Sequence, residues 1–140
     1  MGAVAALVDA GPLFAYLDAA DDDHEECLAL LEQHPGPLAV PVLVVAEVAY
    51  LAAARLGPKA EVRFLGDLAG EAFVTVPVEE ADWLRIAELV ARYRDLPLGT
   101  VDASVVAAAE RLGITTIATL DRRHFGVVRP AHAAAFDLIP

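Results

Sequence analysis

Several residue types that mark common protein classes are scarce in this chain of 140 residues. Cys27 is the one cysteine, so an internal disulfide is excluded and a reducing, cytoplasmic compartment is predicted. Ser104 is the one serine and lies outside any Gly-x-Ser-x-Gly pattern, which disfavours a serine hydrolase. Lys59 is the one lysine and falls in a helical pattern, which disfavours a phospho-acceptor domain. No Gly-rich loop that could cradle a nucleotide phosphate is present.

Features of membrane and secreted proteins are also missing. The apolar stretch at residues 37–54 contains Glu47 near its middle and Pro41 near its start, and no lysine or arginine flanks it on the amino side. A membrane span is therefore not predicted. The amino terminus has no basic region, and its short apolar run ends at Asp9, so no signal peptide is predicted.

Hydrophobic residues make up 57% of the chain, enough to form a core despite a net charge of -11. A length of 140 residues favours one domain spanning residues 1–140. Short β-like runs alternate with helical periodicity along this length. The pattern predicts an α/β protein with three α/β/α layers around a central, mostly parallel sheet.

The positions of glycine and proline indicate where the individual strands and helices begin and end. Predicted strands cover residues 3–8, 38–40, 72–76 and 114–120. Predicted helices cover residues 11–20, 23–33, 41–56, 59–68, 79–93 and 100–112, and Gly113 is the expected cap of the last helix.

Four carboxylates occur in strongly apolar surroundings. Asp9 and Asp121 directly follow two predicted strands, whereas Glu47 and Asp102 interrupt the apolar faces of predicted helices. A carboxylate in such surroundings is costly unless a cation or a hydrogen-bond donor neutralises it. Because open α/β sheets bind ligands beyond the carboxyl ends of their strands, these four side chains are expected to converge. The two helical acids are expected to point inward or to the rim of a cleft.

Each of these acids also has a purely structural interpretation. Asp9 could end a strand or cap a helix, and Asp121 could be a turn residue paired with a neighbouring arginine. Asp102 would suit the first turn of a helix through the helix dipole. Glu47 is the hardest to explain in this way, because an acid in mid-helix among valines needs a partner.

If the four acids converge, their mutual repulsion calls for a counter-ion. Oxygen ligands favour Mg²⁺ or Mn²⁺, and the chain lacks the cysteine and histidine sets that zinc prefers. The histidines have no recognisable paired spacing, so exposed or structural roles are expected for them: His24, His34, His124 and His132. Carboxylate-bound Mg²⁺ commonly supports phosphodiester hydrolysis, which is the natural reaction for such a site.

Four segments that span nearly the whole chain resemble the acidic motifs of PIN-domain ribonucleases, especially VapC toxins. They are LVDAGPL at residues 7–13, VAEV at 45–48, GTVDAS at 99–104 and ATLDRRHF at 118–125. The resemblance implies a PIN-like fold, a Mg²⁺ or Mn²⁺ site and cleavage of RNA by metal-activated water. It also implies a homodimer and a cognate antitoxin that blocks the site.

By this resemblance, Asp9, Glu47, Asp102 and Asp121 match the metal-binding acids of the family. Thr119 matches a hydroxyl position near the last acid, where it could orient a ligand or water. One departure is Ala10, where relatives often carry Thr or Ser; a missing hydroxyl there could loosen support for the first acid. Two further acids, Asp82 and Asp95, are interpreted as solvated charges.

The acidic balance of the chain is unusual for a protein that binds RNA. We expect Arg122 or Arg123 to hold substrate phosphate near the metal, with surface salt bridges as the alternative. The alternative function is a catalytically inactive PIN-fold binding protein. Its partner surface would be the apolar residues of the first helix, Leu13, Phe14, Tyr16 and Leu17, unless these form the core.

Overall fold

A computed structural model describes residues 4–140, and this range contains five strands and seven helices. The strands are β1 (Ala6–Val8), β2 (Leu38–Pro41), β3 (Val74–Val76), β4 (Thr116–Ala118) and β5 (Asp137–Ile139). The helices are α1 (Ala10–Leu17), α2 (His24–Gln33), α3 (Val42–Leu56), α4 (Pro58–Ala69), α5 (Glu80–Arg92), α6 (Thr100–Leu112) and α7 (Arg122–Val127).

The five strands form one parallel sheet in the order β3-β2-β1-β4-β5, with β1 at its centre. Every residue of β1 and β2 is buried, as expected for parallel strands covered by helices on both faces. The chain leaves β1 towards one edge of the sheet and later returns to its other side through β4. The carboxyl ends of β1 and β4 therefore flank a topological switch point, where α/β sheets form binding crevices.

Helix α6 contains the longest unbroken run of buried residues among the described helices. Its residues from 103 to 109 are all buried, and most of them are alanine or valine. Small side chains let this helix lie close to the sheet and to α3, which it contacts along with β2. Because α6 begins at Thr100, this packing fixes the position of Asp102 in its first turn.

Glycine residues separate the helices where the backbone must reverse direction. Gly57 has φ of 96° between α3 and α4, and Gly113 has φ of 70° after α6. Residues other than glycine rarely adopt positive φ angles of this size, so these two glycines end their helices sharply. Pro58 then begins α4, where its missing N–H has no consequence.

The predicted three-layer α/β class is confirmed, and the sheet is wholly rather than mostly parallel. Three of the four predicted strands are shorter than expected: the strand expected at residues 114–120, for example, covers only Thr116–Ala118. The strand expected at 38–40 is one residue longer, at Leu38–Pro41. The first residue of the strand expected at 3–8 lies outside the described residues. Two elements were not predicted, α7 and β5, because α7 has six residues and β5 has three. The backbone of β5 is held by distant pairing, with the Thr119 N–H donating to the Ile139 carbonyl at 2.8 Å.

The apolar residues of α1 form core rather than a partner surface. Leu13, Tyr16 and Leu17 are buried, and only Phe14 of that set is partly exposed. Tyr16 also donates its hydroxyl hydrogen to Asp67 of α4 and contacts Phe73 edge to face. The proposed binding surface on α1 is therefore wrong for these three residues. Within residues 4–140, no helix has the length and apolarity that crossing a membrane requires.

Candidate active site

Asp9 lies at the centre of the carboxyl-terminal edge of the sheet. It directly follows β1, and its backbone N–H donates to the Ala118 carbonyl of β4 at 2.9 Å. The residue occupies the N-cap position of α1, yet its side chain makes no capping hydrogen bond. Only 6% of the residue is exposed. Helix capping therefore does not explain this buried carboxylate, and its hydrogen-bond partner lies elsewhere.

Thr119 connects the ends of the two central strands. Its hydroxyl donates to Asp9 Oδ2 at 2.9 Å and accepts the backbone N–H of Asp121 at 2.9 Å. Thr119 is 1% exposed, so both contacts are shielded from water. The hydroxyl that Ala10 cannot provide beside Asp9 thus comes from the end of β4.

A second group of contacts joins α6 to α7. The Nδ1 atom of His124 lies 2.9 Å from Asp102 Oδ2 and 3.0 Å from Asp121 Oδ2. Asp121 is the N-cap of α7, and its other oxygen accepts the His124 backbone N–H at 2.9 Å. One ligand atom from each of the three residues lies within 4.8 Å of the others, a spacing that suits a shared metal ion.

Glu47 lies at the rim of the site rather than inside it. The sequence predicted that this side chain points either inward or to the rim of a cleft. The residue is exposed on α3, which agrees with the position at the rim. Partial burial of the carboxylate raises its pKa, and the charge of Asp102 raises it further. Asp9, Glu47, Asp102 and Asp121 are called the acid cluster below.

The electrostatics of the acid cluster centre on Asp9. Burial raises the pKa of Asp9 from 3.8 to about 6, and the charges of Asp102 and Glu47 raise it as well. The hydroxyl of Thr119 and the neighbouring backbone N–H of Ala10 lower the pKa but do not restore its ordinary value. At neutral pH the site therefore holds a poorly solvated negative charge, a condition that a bound cation relieves.

His124 is the site residue that the sequence interpretation missed. It was expected to be exposed or structural, whereas it contacts two members of the acid cluster. A signal was present in Asp121-Arg-Arg-His124, because a spacing of three places both side chains on one side of a first helical turn. That signal depended on recognising α7, which the sequence pattern did not reveal.

The two arginines next to Asp121, Arg122 and Arg123, do not support the interpretation of Asp121 as a turn residue paired with a neighbouring arginine. Neither forms an ion pair with a carboxylate among residues 4–140, so Asp121 is not neutralised by its neighbours. Arg122 donates to the Pro140 carbonyl, and both side chains are exposed. Arg123 makes no hydrogen bond with another described residue.

Asp82 was expected to be solvated, and that expectation is wrong. The residue is 7% exposed, and its carboxylate accepts the Glu79 N–H at 2.9 Å in a capping box at the start of α5. Arg111 of α6 donates to both of its oxygens at 3.2 Å. Asp82 is thus the N3 residue of a capping box whose N-cap is Glu79, and it forms an ion pair with Arg111. Asp95 is exposed, as predicted.

The residues at the site fit a hard divalent cation. The acid cluster contributes carboxylate oxygens only, and within residues 4–140 no lysine or arginine pairs with any of its members. Among these described residues, His124 is the one basic side chain in contact with the acid cluster. Oxygen ligands from separate elements around a buried carboxylate of raised pKa suit Mg²⁺ or Mn²⁺.

Comparison with known proteins places this geometry in context. A family model described as the PIN domain matches residues 6–129. Ribonuclease VapC26 of Mycobacterium tuberculosis is 39% identical over 134 residues, which cover 96% of this chain and 99% of that protein.

Solved structures share the fold at lower sequence identity. VapC20 of Mycobacterium tuberculosis, described as a toxin that cleaves the sarcin-ricin loop, aligns with a TM-score of 0.76 and 21% identity. That alignment covers 81% of this chain and 87% of VapC20. VapBC2 from Rickettsia felis, solved with a promoter DNA fragment, aligns with a TM-score of 0.70 and 14% identity over 98% of this chain and 100% of that chain. At these identities the solved structures establish the similarity of fold.

Proposed function

This chain belongs to the PIN-domain family, and from that membership we propose that the acid cluster is its catalytic centre. Its close similarity to a VapC ribonuclease over nearly the full length identifies it as an endoribonuclease toxin of a type II toxin–antitoxin pair. The observation that carries the catalytic assignment is the convergence of acids from four separate segments around the ends of β1 and β4.

We propose that Asp9, Glu47, Asp102 and Asp121 hold Mg²⁺ or Mn²⁺. When bound, such an ion activates water for attack on phosphorus and stabilises the charge that develops on the phosphate. Asp9 would be the central ligand, because it is the most buried of the four. His124 touches two of the proposed ligands and could add a nitrogen donor, which Mn²⁺ accepts more readily than Mg²⁺ does.

The remaining polar groups of the site orient these ligands. The Thr119 hydroxyl donates to one carboxylate oxygen of Asp9 and holds it in place. The same hydroxyl accepts the backbone N–H of Asp121 and so positions the start of α7. The backbone N–H of His124 donates to Asp121 Oδ1 and holds this carboxylate at the N-cap of α7. Such supporting hydrogen bonds set the direction of the carboxylate oxygens, which a metal site requires.

Arg123 is the better candidate for a contact with the substrate phosphate. It is exposed, next to His124, and has no ion-pair partner among the described residues. Arg122 is less available, because it donates to the Pro140 carbonyl. A guanidinium in this position can bind two phosphate oxygens at once.

The partners that we propose are an RNA substrate, a cognate antitoxin that covers the acid cluster, and a second copy of the chain in a homodimer. We also propose that residues 1–140 act as one PIN-like domain in the cytoplasm. Support comes from the relatives, which include a VapC ribonuclease and a VapBC complex.

Replacement of Asp102 by Asn tests the catalytic assignment. The variant should retain the circular dichroism spectrum and urea midpoint of the wild type but lose Mg²⁺-dependent cleavage of a cellular RNA mixture. An Asp22→Asn variant is the matched control, because Asp22 is exposed and lies in the turn before α2. Full activity of Asp102→Asn would refute the assignment, and a wild type without cleavage in Mg²⁺ or Mn²⁺ would favour an inactive binding protein.

A further inference from the structure

Helix α5 has two apolar faces, whereas a helix at the surface of a globular protein normally has one. Its inner face is buried and includes Ile86 and Leu89. Its outer face is called the α5 face below and consists of five exposed or half-buried residues: Trp83, Leu84, Ala87, Val90 and Ala91. At 3.6 residues per turn, these side chains fall within about 120° of the helix circumference. Trp83 is 51% exposed and Leu84 is 70% exposed, and large apolar side chains grouped in this way mark an interaction surface.

A groove of about 450 Å³ runs along the α5 face. Four of the five residues of the face line it, together with Ile86 and Thr100. Thr100 is the first residue of α6, so the groove lies between α5 and the start of the helix that packs against it. None of the described residues that line the groove is basic or acidic. The groove therefore fits apolar side chains of a protein partner better than it fits RNA.

The α5 face is complementary to itself in size when two copies pack antiparallel. The large Trp83 and Leu84 precede Ala87 in the face, and the smaller Val90 and Ala91 follow it. A two-fold axis at Ala87 sets Trp83 opposite Ala91 of the second copy and Leu84 opposite its Val90. Large side chains then fill the space over small ones, and the alanines let the two helices approach closely. Interfaces built on a two-fold axis use one self-complementary patch twice in this way.

Charge follows the same symmetry. Glu80 begins α5, and Arg94 follows the C-cap residue Tyr93. Both are exposed, and each lies seven residues from Ala87 along the sequence. An antiparallel pair therefore brings Glu80 of each copy to Arg94 of the other, whereas a parallel pair would place like charges together. The positions 80, 84, 87, 91 and 94 alternate in steps of four and three, the spacing that keeps one seam facing a partner helix.

We infer that two copies of this chain associate through their α5 faces, antiparallel about a two-fold axis at Ala87. This inference rests on the homodimer proposed above and assigns the surface that forms it. Two residues turn a helix by about 200°, so Thr100 at the groove and Asp102 in the acid cluster project from opposite sides of α6. Each copy therefore keeps its own acid cluster open to substrate.

Sedimentation equilibrium over a range of protein concentrations tests the surface. The wild type should approach twice the chain mass of 14.8 kDa. Leu84→Glu should weaken the dimer about a hundredfold or more, because it places two unpaired charges in an apolar interface. Val62→Glu is the matched control, since Val62 is 67% exposed on α4, and its dissociation constant should be nearly that of the wild type.

Charge reversal tests the antiparallel arrangement. Glu80→Arg and Arg94→Glu should each weaken the dimer roughly tenfold, because each variant sets like charges opposite one another twice. An equal mixture of the two variants should form a heterodimer of nearly wild-type strength, since every facing pair then joins an acid to a base. A mixture that associates no better than either variant alone would overturn the arrangement.

Trp83 is the one tryptophan in the sequence, so its fluorescence reports on the α5 face. Its emission should shift to shorter wavelength as the protein concentration rises through the dissociation constant of the dimer. Leu84→Glu should abolish this shift, and Val62→Glu should keep it. A wild-type dimer whose tryptophan emission is the same as that of the monomer would overturn the inference.

These results do not depend on catalysis. A wild type that dimerises through the α5 face but cleaves no RNA in Mg²⁺ or Mn²⁺ would refute the catalytic assignment and leave the inference intact. A wild type that cleaves RNA but stays monomeric would overturn the inference and the homodimer, and a dimer insensitive to Leu84→Glu would overturn the inference alone. Loss of antitoxin binding in Leu84→Glu with an intact dimer would also overturn it, because the α5 face would then serve a different protein. Circular dichroism shows whether each variant is folded, and Leu84→Ala provides a milder test if Leu84→Glu unfolds.

Discussion

Asp9 should destabilise the metal-free protein at neutral pH, and replacing it by Asn should stabilise the fold. Burial raises the pKa of Asp9 from 3.8 to about 6, so the folded state holds its proton more tightly than the unfolded state does. A group of this kind favours folding most below its unfolded pKa, and the benefit is lost as pH rises through the folded pKa. At 1.36 kcal/mol per unit, this difference costs about 3 kcal/mol above pH 6.

Asparagine has nearly the shape of aspartate and carries no charge. Its amide oxygen can still accept the hydrogen bond that Thr119 donates to Asp9 at 2.9 Å. In EDTA at pH 8, Asp9→Asn should therefore raise the free energy of unfolding by about 2 to 3 kcal/mol. Below pH 4 both proteins are neutral at this position, and their stabilities should agree within about 0.5 kcal/mol.

Urea denaturation at both pH values measures this difference directly. Asp22→Asn, an exposed turn variant, should match the wild type at each pH. Addition of Mn²⁺ at pH 8 should stabilise the wild type by mass action and leave Asp9→Asn unchanged. If Asp9→Asn were less stable than the wild type at pH 8 in EDTA, the fold would stabilise the ionised carboxylate, and the argument from burial would be refuted.

Two further perturbations probe the groups that support the acid cluster. Replacing His124 by Ala removes the side chain that contacts two acids, and Mn²⁺ affinity measured by titration calorimetry should fall about tenfold or more; equal affinity would exclude a role for the imidazole. Replacing Thr119 by Val removes both hydrogen bonds of its hydroxyl within a buried site, and urea denaturation should report a loss of about 1 to 3 kcal/mol. Thr119→Ser keeps the hydroxyl, so a loss as large in Ser as in Val would assign the effect to packing instead.

Much of the site could be predicted from the sequence because the carboxyl ends of parallel strands lie at the same edge of the sheet. Asp9 follows a short apolar run that was predicted to be a buried strand, and parallel strands end at one edge of the sheet. Glu47 and Asp102 were placed by helical periodicity, and both helices were found with nearly the expected bounds. Local patterns therefore sufficed wherever an element was long or wholly apolar.

What the sequence did not reveal depends on contacts between distant segments. Helix α7 is too short for periodicity to identify it, and without α7 the contact of His124 with Asp102 has no basis. Strand β5 forms by pairing with β4, so its three residues carry little local signal. Asp82 looked like a surface charge because its partner, Arg111, lies 29 residues away along the chain.

The direct test of the central claim is the position of Mn²⁺ in crystals of this protein, located by anomalous scattering after soaking in MnCl₂. The claim that the acid cluster is a metal centre predicts a peak in contact with Asp9 and Asp102, at the carboxyl ends of β1 and β4. The peak should vanish in crystals of Asp9→Asn soaked in the same way. Strong peaks elsewhere on the protein with none at the acid cluster would contradict the claim.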